Sequence, residues 1–128
     1  MSISIETDFG QAEGYIINTE ESPHLLTEYL KDHQIFDYED VSREIASDYK
    51  TVAILHSMKI EKDYQGQGYG KQLLMSFISK ASVDAVLLIS DSKEPQRKGF
   101  KLQNFYMRNG FSLLEEASDG NLLIYIKS

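Results

Sequence analysis

The chain has 128 residues, of which 41% are apolar and 26% are charged, a balance typical of a globular protein with one core. It contains no cysteine and only three histidines, far apart in sequence, so we expect no disulfide framework, no cysteine nucleophile and no metal site. The 13 Lys and Arg against 20 Asp and Glu give a net charge of −7, which argues against a nucleic-acid partner and is compatible with a cationic substrate.

The start of the chain predicts two strands followed by a helix. Ile3 and Ile5 alternate with polar residues, which indicates a strand with one buried face. Segment 14–17 has the composition of a returning strand. Ser22 followed by Pro23 is a typical helix start, because serine can cap the first turn and proline is tolerated at the first helical position.

A second amphipathic helix and a long strand follow. Val41, Ile45 and Tyr49 lie on one stripe of that helix. Segment 51–60 is rich in β-branched and apolar residues and predicts a strand. Regular alternation along this strand would place four side chains on one face: Ile54, His56, Met58 and Ile60.

The second half predicts helices and strands in alternation. A helix is expected over 70–81, a strand buried on both faces over 85–90, and a helix over about 100–108 that ends at an Asn-Gly pair. Strands over 111–116 and 122–127 are joined across an Asp-Gly turn, a typical hairpin signal. The sequence therefore predicts a mixed α/β sheet flanked by helices, in a single domain over 1–128.

No segment resembles a membrane helix or a leader. The longest unbroken apolar runs, 85–89 and 122–126, have five residues each, whereas a membrane helix needs about 20. The N-terminus lacks the basic and apolar regions of a signal peptide. We therefore expect no membrane partner and a cytoplasmic location.

The most informative segment is a glycine-rich loop between a predicted strand and a predicted helix. There, glycines let the backbone approach a ligand, and successive N–H groups can converge on an anion at the helix N-terminus. The loop is not a P-loop, because only three residues separate Gly66 from Gly70, and Gln72 replaces the required Ser or Thr. Nor is it a dinucleotide fingerprint, because its third glycine comes one residue early.

The loop instead fits the pattern Q-x-x-G-x-G, with Gln65, Gly68 and Gly70. This pattern resembles the most diagnostic motif of the GNAT superfamily of N-acetyltransferases. Segment 104–111, an aromatic-Tyr pair followed by Gly-Phe, resembles the second motif of that family. Both motifs stand in the family's order, and the resemblance covers about residues 51–128.

The resemblance fades in the N-terminal third. The family usually opens with one strand, two helices and two more strands, whereas here any second strand precedes the helices. This third is therefore shortened or rearranged, and in the family it commonly shapes the acceptor site. A second departure is Gly99, which stands where the family frequently has an asparagine.

The resemblance implies that acetyl-CoA is the co-substrate. Backbone N–H groups of the loop would bind its pyrophosphate, and the pantetheine arm would pair with the exposed edge of the motif strand at Met58 and Ile60. A backbone N–H of that strand would also polarise the thioester carbonyl. The expected cofactor-binding loop residues are Gln65, Gly66, Gln67, Gly68, Tyr69, Gly70 and Lys71. A basic cluster of Lys93, Arg97, Lys98 and Lys101 either meets a CoA phosphate or is simply solvated.

Two side chains are candidates for proton transfer. Tyr106 matches the tyrosine that in the family protonates the departing thiolate; the alternative is a buried structural tyrosine. The family often places a glutamate base on the motif strand near Ile54 or His56. Ile54 cannot accept a proton, whereas an imidazole titrates near neutral pH, so His56 is the candidate base. The alternative is an inert histidine packed between sheet and helix.

The expected activity is acetyl transfer to a primary amine of a small molecule or a protein. Family members are often dimers, so the resemblance also implies a homodimer. Two other functions remain open: a non-catalytic acyl-CoA-binding domain of the same fold, and an interaction domain in which the glycine loop is structural.

Overall fold

The computed structural model describes residues 1–91, 102–117 and 120–127. In chain order the elements are β1 (Ser2–Thr7), β2 (Gly10–Asn18), α1 (Pro23–Asp32), α2 (Tyr38–Asp48), β3 (Thr51–Ile60), α3 (Tyr69–Ala81), β4 (Ala85–Asp91), α4 (Leu102–Arg108), β5 (Ser112–Ala117) and β6 (Gly120–Ile126). This order is the predicted one. The first residues of the helix predicted over 100–108 lie outside the described residues.

The strands form one six-stranded sheet in the order β1-β2-β3-β4-β6-β5. Among the described strands, only β3 and β4 pair in parallel; the other neighbouring strands are antiparallel. The hairpin of β1 and β2 precedes both α1 and α2 and pairs directly with β3, so the rearranged N-terminal third expected from the sequence is present. The expected hairpin of β5 and β6 is confirmed by their pairing, although residues 118–119 of its turn lie outside the described residues.

Helices cover the sheet on both faces, which confirms a mixed α/β sheet flanked by helices. On the first face, α3 and α4 pack on β3 and β4 through a core that includes Leu73, Leu74, Phe77, Tyr106, Ala53, Leu55, Val86 and Leu88. On the second face, α1 and α2 pack through a core that includes Leu26, Tyr29, Leu30, Val41, Ile45, Val52, Ile54 and Leu87. Strand β4 contributes to both cores, as its continuous apolar run predicts.

The helix α1 begins as predicted, with Pro23 in its first turn and Ser22 as its N-cap residue. The serine makes no side-chain capping hydrogen bond, so only its position and not its capping role is confirmed. The connection from α1 to α2 contains two non-glycine residues in the left-handed region, Gln34 at φ 59° and Asp37 at φ 56°. A hydrogen bond of 2.9 Å between the Thr27 and Ser42 hydroxyls joins the two helices.

Within the described ranges, no helix is both long and apolar enough to span a membrane.

Candidate functional site

The central feature of the site is an opening in the sheet between β3 and β4. These strands pair only over 52–54 and 85–87, although β3 continues to Ile60 and β4 to Asp91. Beyond this point β3 stays paired with β2, and β4 stays paired with β6. The two halves of the sheet therefore separate, and we call the resulting gap the wedge.

A β-bulge in β3 lies just where the wedge opens. The antiparallel register matches Gly14 with Leu55 and Glu13 with Ser57, so His56 is an extra residue without a partner in β2. Bulges change which side of a strand the following side chains occupy. The bulge and the wedge together place His56, which is exposed, at the point where the sheet divides.

The bulge overturns the predicted face pattern of this strand. Before it, Ile54 packs into the core of the second face; after it, Met58 and Ile60 pack against the core of the first face. The expectation that Ile54, His56, Met58 and Ile60 share one face is therefore wrong. Uniform alternation assumes an unbroken ladder, and the inserted residue at His56 shifts the alternation by one position.

The backbone of Met58 and Ile60 faces the wedge. The carbonyl of Lys59 points at Gly10 of β2, and the N–H of Glu61 donates to the Phe9 carbonyl at 2.8 Å. Because backbone polar groups alternate between the two edges of a strand, those of Met58 and Ile60 point to the opposite edge. The Gln65 side-chain amide reaches that edge and donates to the Ile60 carbonyl at 3.1 Å.

The glycine loop joins this edge to the N-terminus of α3. Gly66 and Gly68 have φ of 78° and 86°, values in the left-handed region that glycine adopts without a steric cost. Gly68 is the N-cap residue of α3 and carries no side chain that could cap it. The first helical N–H with a partner is that of Gln72, which donates to the Gly68 carbonyl at 3.4 Å.

Three backbone N–H groups therefore point out of the end of α3, those of Tyr69, Gly70 and Lys71. Such groups, with the positive end of the helix dipole, favour an anion. A Cβ added to Gly68 would meet no atom within 4 Å, so the space in front of the loop is open. Residues 65–68 and Lys71 are exposed, so the loop is accessible to a ligand.

An aromatic cluster supports the loop from behind. The rings of Phe9 and Tyr69 stack with centroids 4.5 Å apart, and Tyr64 packs edge-on against Tyr69 at 5.4 Å. Sequence reasoning missed Phe9, because it lies in the turn between β1 and β2, far from the loop in sequence. No local signal could have found it without the register that brings β2 against β3.

Gly70 has a different role from the other two glycines of the loop, Gly66 and Gly68. A Cβ at this position would lie 3.3 Å from the ring of Phe105 on α4, so glycine allows α3 and α4 to approach closely. The neighbouring residue on α4 is Tyr106, which is 6% exposed. Its ring packs against Phe105 and Phe111 and lies in the same core as Leu55, the residue before the bulge.

The structure does not describe one predicted group of residues, the basic cluster of Lys93, Arg97, Lys98 and Lys101. Gly99 also lies outside the described residues. Within the described ranges, no group of three or more His, Asp or Glu side chains is arranged to hold a metal ion.

Comparison with known proteins gives one family and a set of similar folds. A family profile described as acetyltransferase (GNAT) domain matches residues 28–113. No curated protein matches the sequence significantly. Among solved structures, Arabidopsis thaliana NAA60 in complex with a bisubstrate analogue is similar with a TM-score of 0.62 and 14% identity, over 99% of this chain and 77% of that one.

Two further structures contain CoA. The PaiA N-acetyltransferase of Thermoplasma acidophilum, in complex with coenzyme A, has a TM-score of 0.58 and 15% identity, over 98% of this chain and 61% of that one. The NatC complex bound to Gag peptide and CoA has a TM-score of 0.56 and 14% identity, over 94% and 62%. The present chain thus spans about three fifths of the length of these two relatives, and at such identities the similarity concerns the fold.

Proposed function

The chain belongs to the GNAT acetyltransferase family, and from that premise we propose that it transfers an acetyl group from acetyl-CoA to a primary amine. The observation that carries the proposal is the wedge, whose open β3 edge leads from the anion-favouring end of α3 to the bulge at His56. One extended ligand with an anionic end fits this path. Acetyl-CoA has that shape, with a pyrophosphate, an amide-rich arm and a terminal thioester.

In this proposal the donor is bound mainly by backbone groups. The N–H groups at the start of α3 hold the pyrophosphate, and the pantetheine amides pair with Met58 and Ile60 as an added strand would. The Gln65 side chain fixes the loop against the end of that edge through its bond to Ile60. The proposed donor-binding residues are those predicted from the sequence: Met58, Ile60, Gln65, Gly66, Gln67, Gly68, Tyr69, Gly70 and Lys71.

Besides donor binding, the reaction needs three groups: one that stabilises the carbonyl oxygen, one that protonates the thiolate and one that accepts the amine proton. The neutral amine attacks the thioester carbon, a C–N bond forms, and negative charge develops on the carbonyl oxygen, where a β3 backbone N–H can stabilise it. The C–S bond then breaks, and Tyr106 donates a proton to the CoA thiolate. The proton lost by the amine goes to His56, directly or through water. The products are the acetylated amine and CoA.

A thiol-release assay tests the proposal directly. Because the chain has no cysteine, a thiol-reactive chromophore reports only the CoA that turnover releases. We expect acetyl-CoA to raise the melting temperature and a panel of primary amines to release CoA. A melting shift with no release by any amine would favour a non-catalytic acyl-CoA-binding domain. If acetyl-CoA neither shifts the melting temperature nor releases CoA, the loop is structural and an interaction domain is favoured.

A further inference from the structure

The turn between β1 and β2 is held in one shape by a single side chain. The Phe9 and Gly10 N–H groups donate to the Thr7 hydroxyl oxygen at 3.3 and 3.1 Å, and that hydroxyl donates to the Gly10 carbonyl at 2.9 Å. Threonine side chains commonly make such local bonds in turns. The position of Phe9 at the end of this hairpin is therefore well defined.

The same turn packs against the last residues of β3. Gly10 is buried, and a Cβ at this position would collide with the Lys59 carbonyl, so the hairpin and β3 are in direct backbone contact. Gly10 pairs with Ile60, and the Glu61 N–H then donates to the Phe9 carbonyl at 2.8 Å. Pairing between the hairpin and β3 thus continues to the residue at which the chain leaves the sheet toward the glycine loop.

The Phe9 side chain pairs with rings at both ends of the glycine loop. It stacks on Tyr69, with centroids 4.5 Å apart and ring planes inclined by 26°. Its centroid also lies 6.4 Å from that of Tyr64, a separation at which aromatic rings still attract each other. Tyr64 ends a single helical turn just before the loop, and Tyr69 is the first residue of α3. One ring from a distant segment therefore joins the two ends of the loop.

The loop between these ends gains from such support. Gly66 and Gly68 lie within it, and glycine loses more conformational freedom on ordering than any other residue. The three free N–H groups at the start of α3 converge on one anion only while the first turn keeps its direction. Tyr69 carries the first of these groups, so a ring stacked on Tyr69 holds that direction. Holding a binding segment in its bound shape lowers the free-energy cost of binding.

We propose that Phe9 is a positioning residue for the donor: it holds the start of α3 in the geometry that binds the anionic end of acetyl-CoA. Phe9 acts through Tyr69 and does not itself supply a group to the donor. The hairpin lies outside residues 28–113, which the family profile matches, so that match does not assign this role. The inference rests on the proposed function for the identity of the ligand, whereas the fixing of the loop is a property of the free protein.

Three variants separate the flat ring from apolar bulk and from the hairpin as a whole. Phe9→Leu keeps an apolar side chain but removes the ring, whereas Phe9→Tyr keeps the ring. The matched control is Ile5→Ala, because Ile5 lies in β1 of the same hairpin and, like Phe9, is partly buried against the core of the first face. Its truncation should destabilise the hairpin without removing a ring from the loop. Circular dichroism and urea denaturation check that each variant is folded.

Two measurements are made on wild type and on each variant. NMR relaxation of the backbone amides over 66–71 reports the order of the loop in the free protein, and calorimetric titration gives the dissociation constant for acetyl-CoA. We expect Phe9→Leu to lower the order parameters of this segment and to weaken acetyl-CoA binding about fivefold, since an aromatic pair is lost. Phe9→Tyr and Ile5→Ala should keep the loop order of wild type and an affinity within about twofold of it.

The outcomes separate this inference from the proposed function. Unchanged loop order in Phe9→Leu would overturn the inference, and so would an equal loss of order in Ile5→Ala. If wild type and Phe9→Leu bind acetyl-CoA equally well, the order of the loop has no bearing on the donor, and the inference also fails. If wild type binds no acetyl-CoA, the proposed function fails, and the order of the loop in the variants still decides whether Phe9 positions the start of α3.

Discussion

The two sides of the sheet at the wedge are built in different ways. On the donor side, the end of β3, the glycine loop and the start of α3 follow one another within residues 55–71 and present mostly backbone groups. On the second face, Tyr15 of β2 lies opposite Ile54 of β3 through the sheet register, and the Asp32 carboxylate of α1 contributes to raising the pKa of Tyr15 after burial does. The proposed donor site therefore depends on backbone geometry within one short segment, whereas the second face depends on side chains from distant segments.

The largest effect is expected at Tyr106, on the donor side. Tyr106→Phe removes the hydroxyl that protonates the thiolate but keeps the ring that packs against Phe105 and Phe111. We expect kcat to fall about 100-fold, with the dissociation constant for acetyl-CoA almost unchanged. Steady-state kinetics and calorimetry measure the two values. Turnover within a factor of about two of wild type would assign proton delivery to another group.

A smaller effect is expected at His56, between the two sides. If His56 accepts the amine proton, His56→Ala should lower kcat/KM because it removes that acceptor. We expect a loss of about tenfold, since water can partly replace an exposed base. The measurement is kcat/KM of both proteins with the same primary amine. An unchanged value would make His56 structural and leave the base to the N-terminal third.

The smallest effect concerns stability on the second face of the sheet, where Tyr29 is buried. The pKa of Tyr29 is raised above its value in the unfolded chain, so the folded protein retains this proton at a pH where the unfolded chain loses it. Its contribution is therefore fully present below the ordinary tyrosine pKa of about 10 and is lost as the pH rises further. We expect the free energy of unfolding to fall by about 1 kcal/mol between pH 9 and pH 11 on this account.

Urea denaturation at both pH values measures this fall, and Tyr29→Phe should lessen it. If wild type and Tyr29→Phe lose the same stability, then Tyr29 does not hold its proton more tightly in the folded state.

The sequence predicted the elements and their order better than the details of the candidate site, for a physical reason. Helix and strand periods and the order of elements are local properties, so residues near one another in the chain reveal them. The bulge at His56 depends on how β3 pairs with β2, and no alternation pattern within β3 predicts it. The support of the loop by Phe9 and the effect of the Asp32 carboxylate on the pKa of Tyr15 also depend on the approach of segments that are distant in sequence.

A matched pair of substitutions at Gly68 tests whether the open N-terminus of α3 binds the anionic part of acetyl-CoA. Asn and Asp have the same shape, both tolerate a positive φ better than other side chains, and both can cap a helix, so they differ here mainly in charge. Calorimetric titration of acetyl-CoA into the two variants isolates that charge. We expect Gly68→Asp to bind acetyl-CoA at least about tenfold more weakly than Gly68→Asn, with equal folding by circular dichroism. Equal affinities of the two variants would mean that the end of α3 does not bind the anionic part of acetyl-CoA.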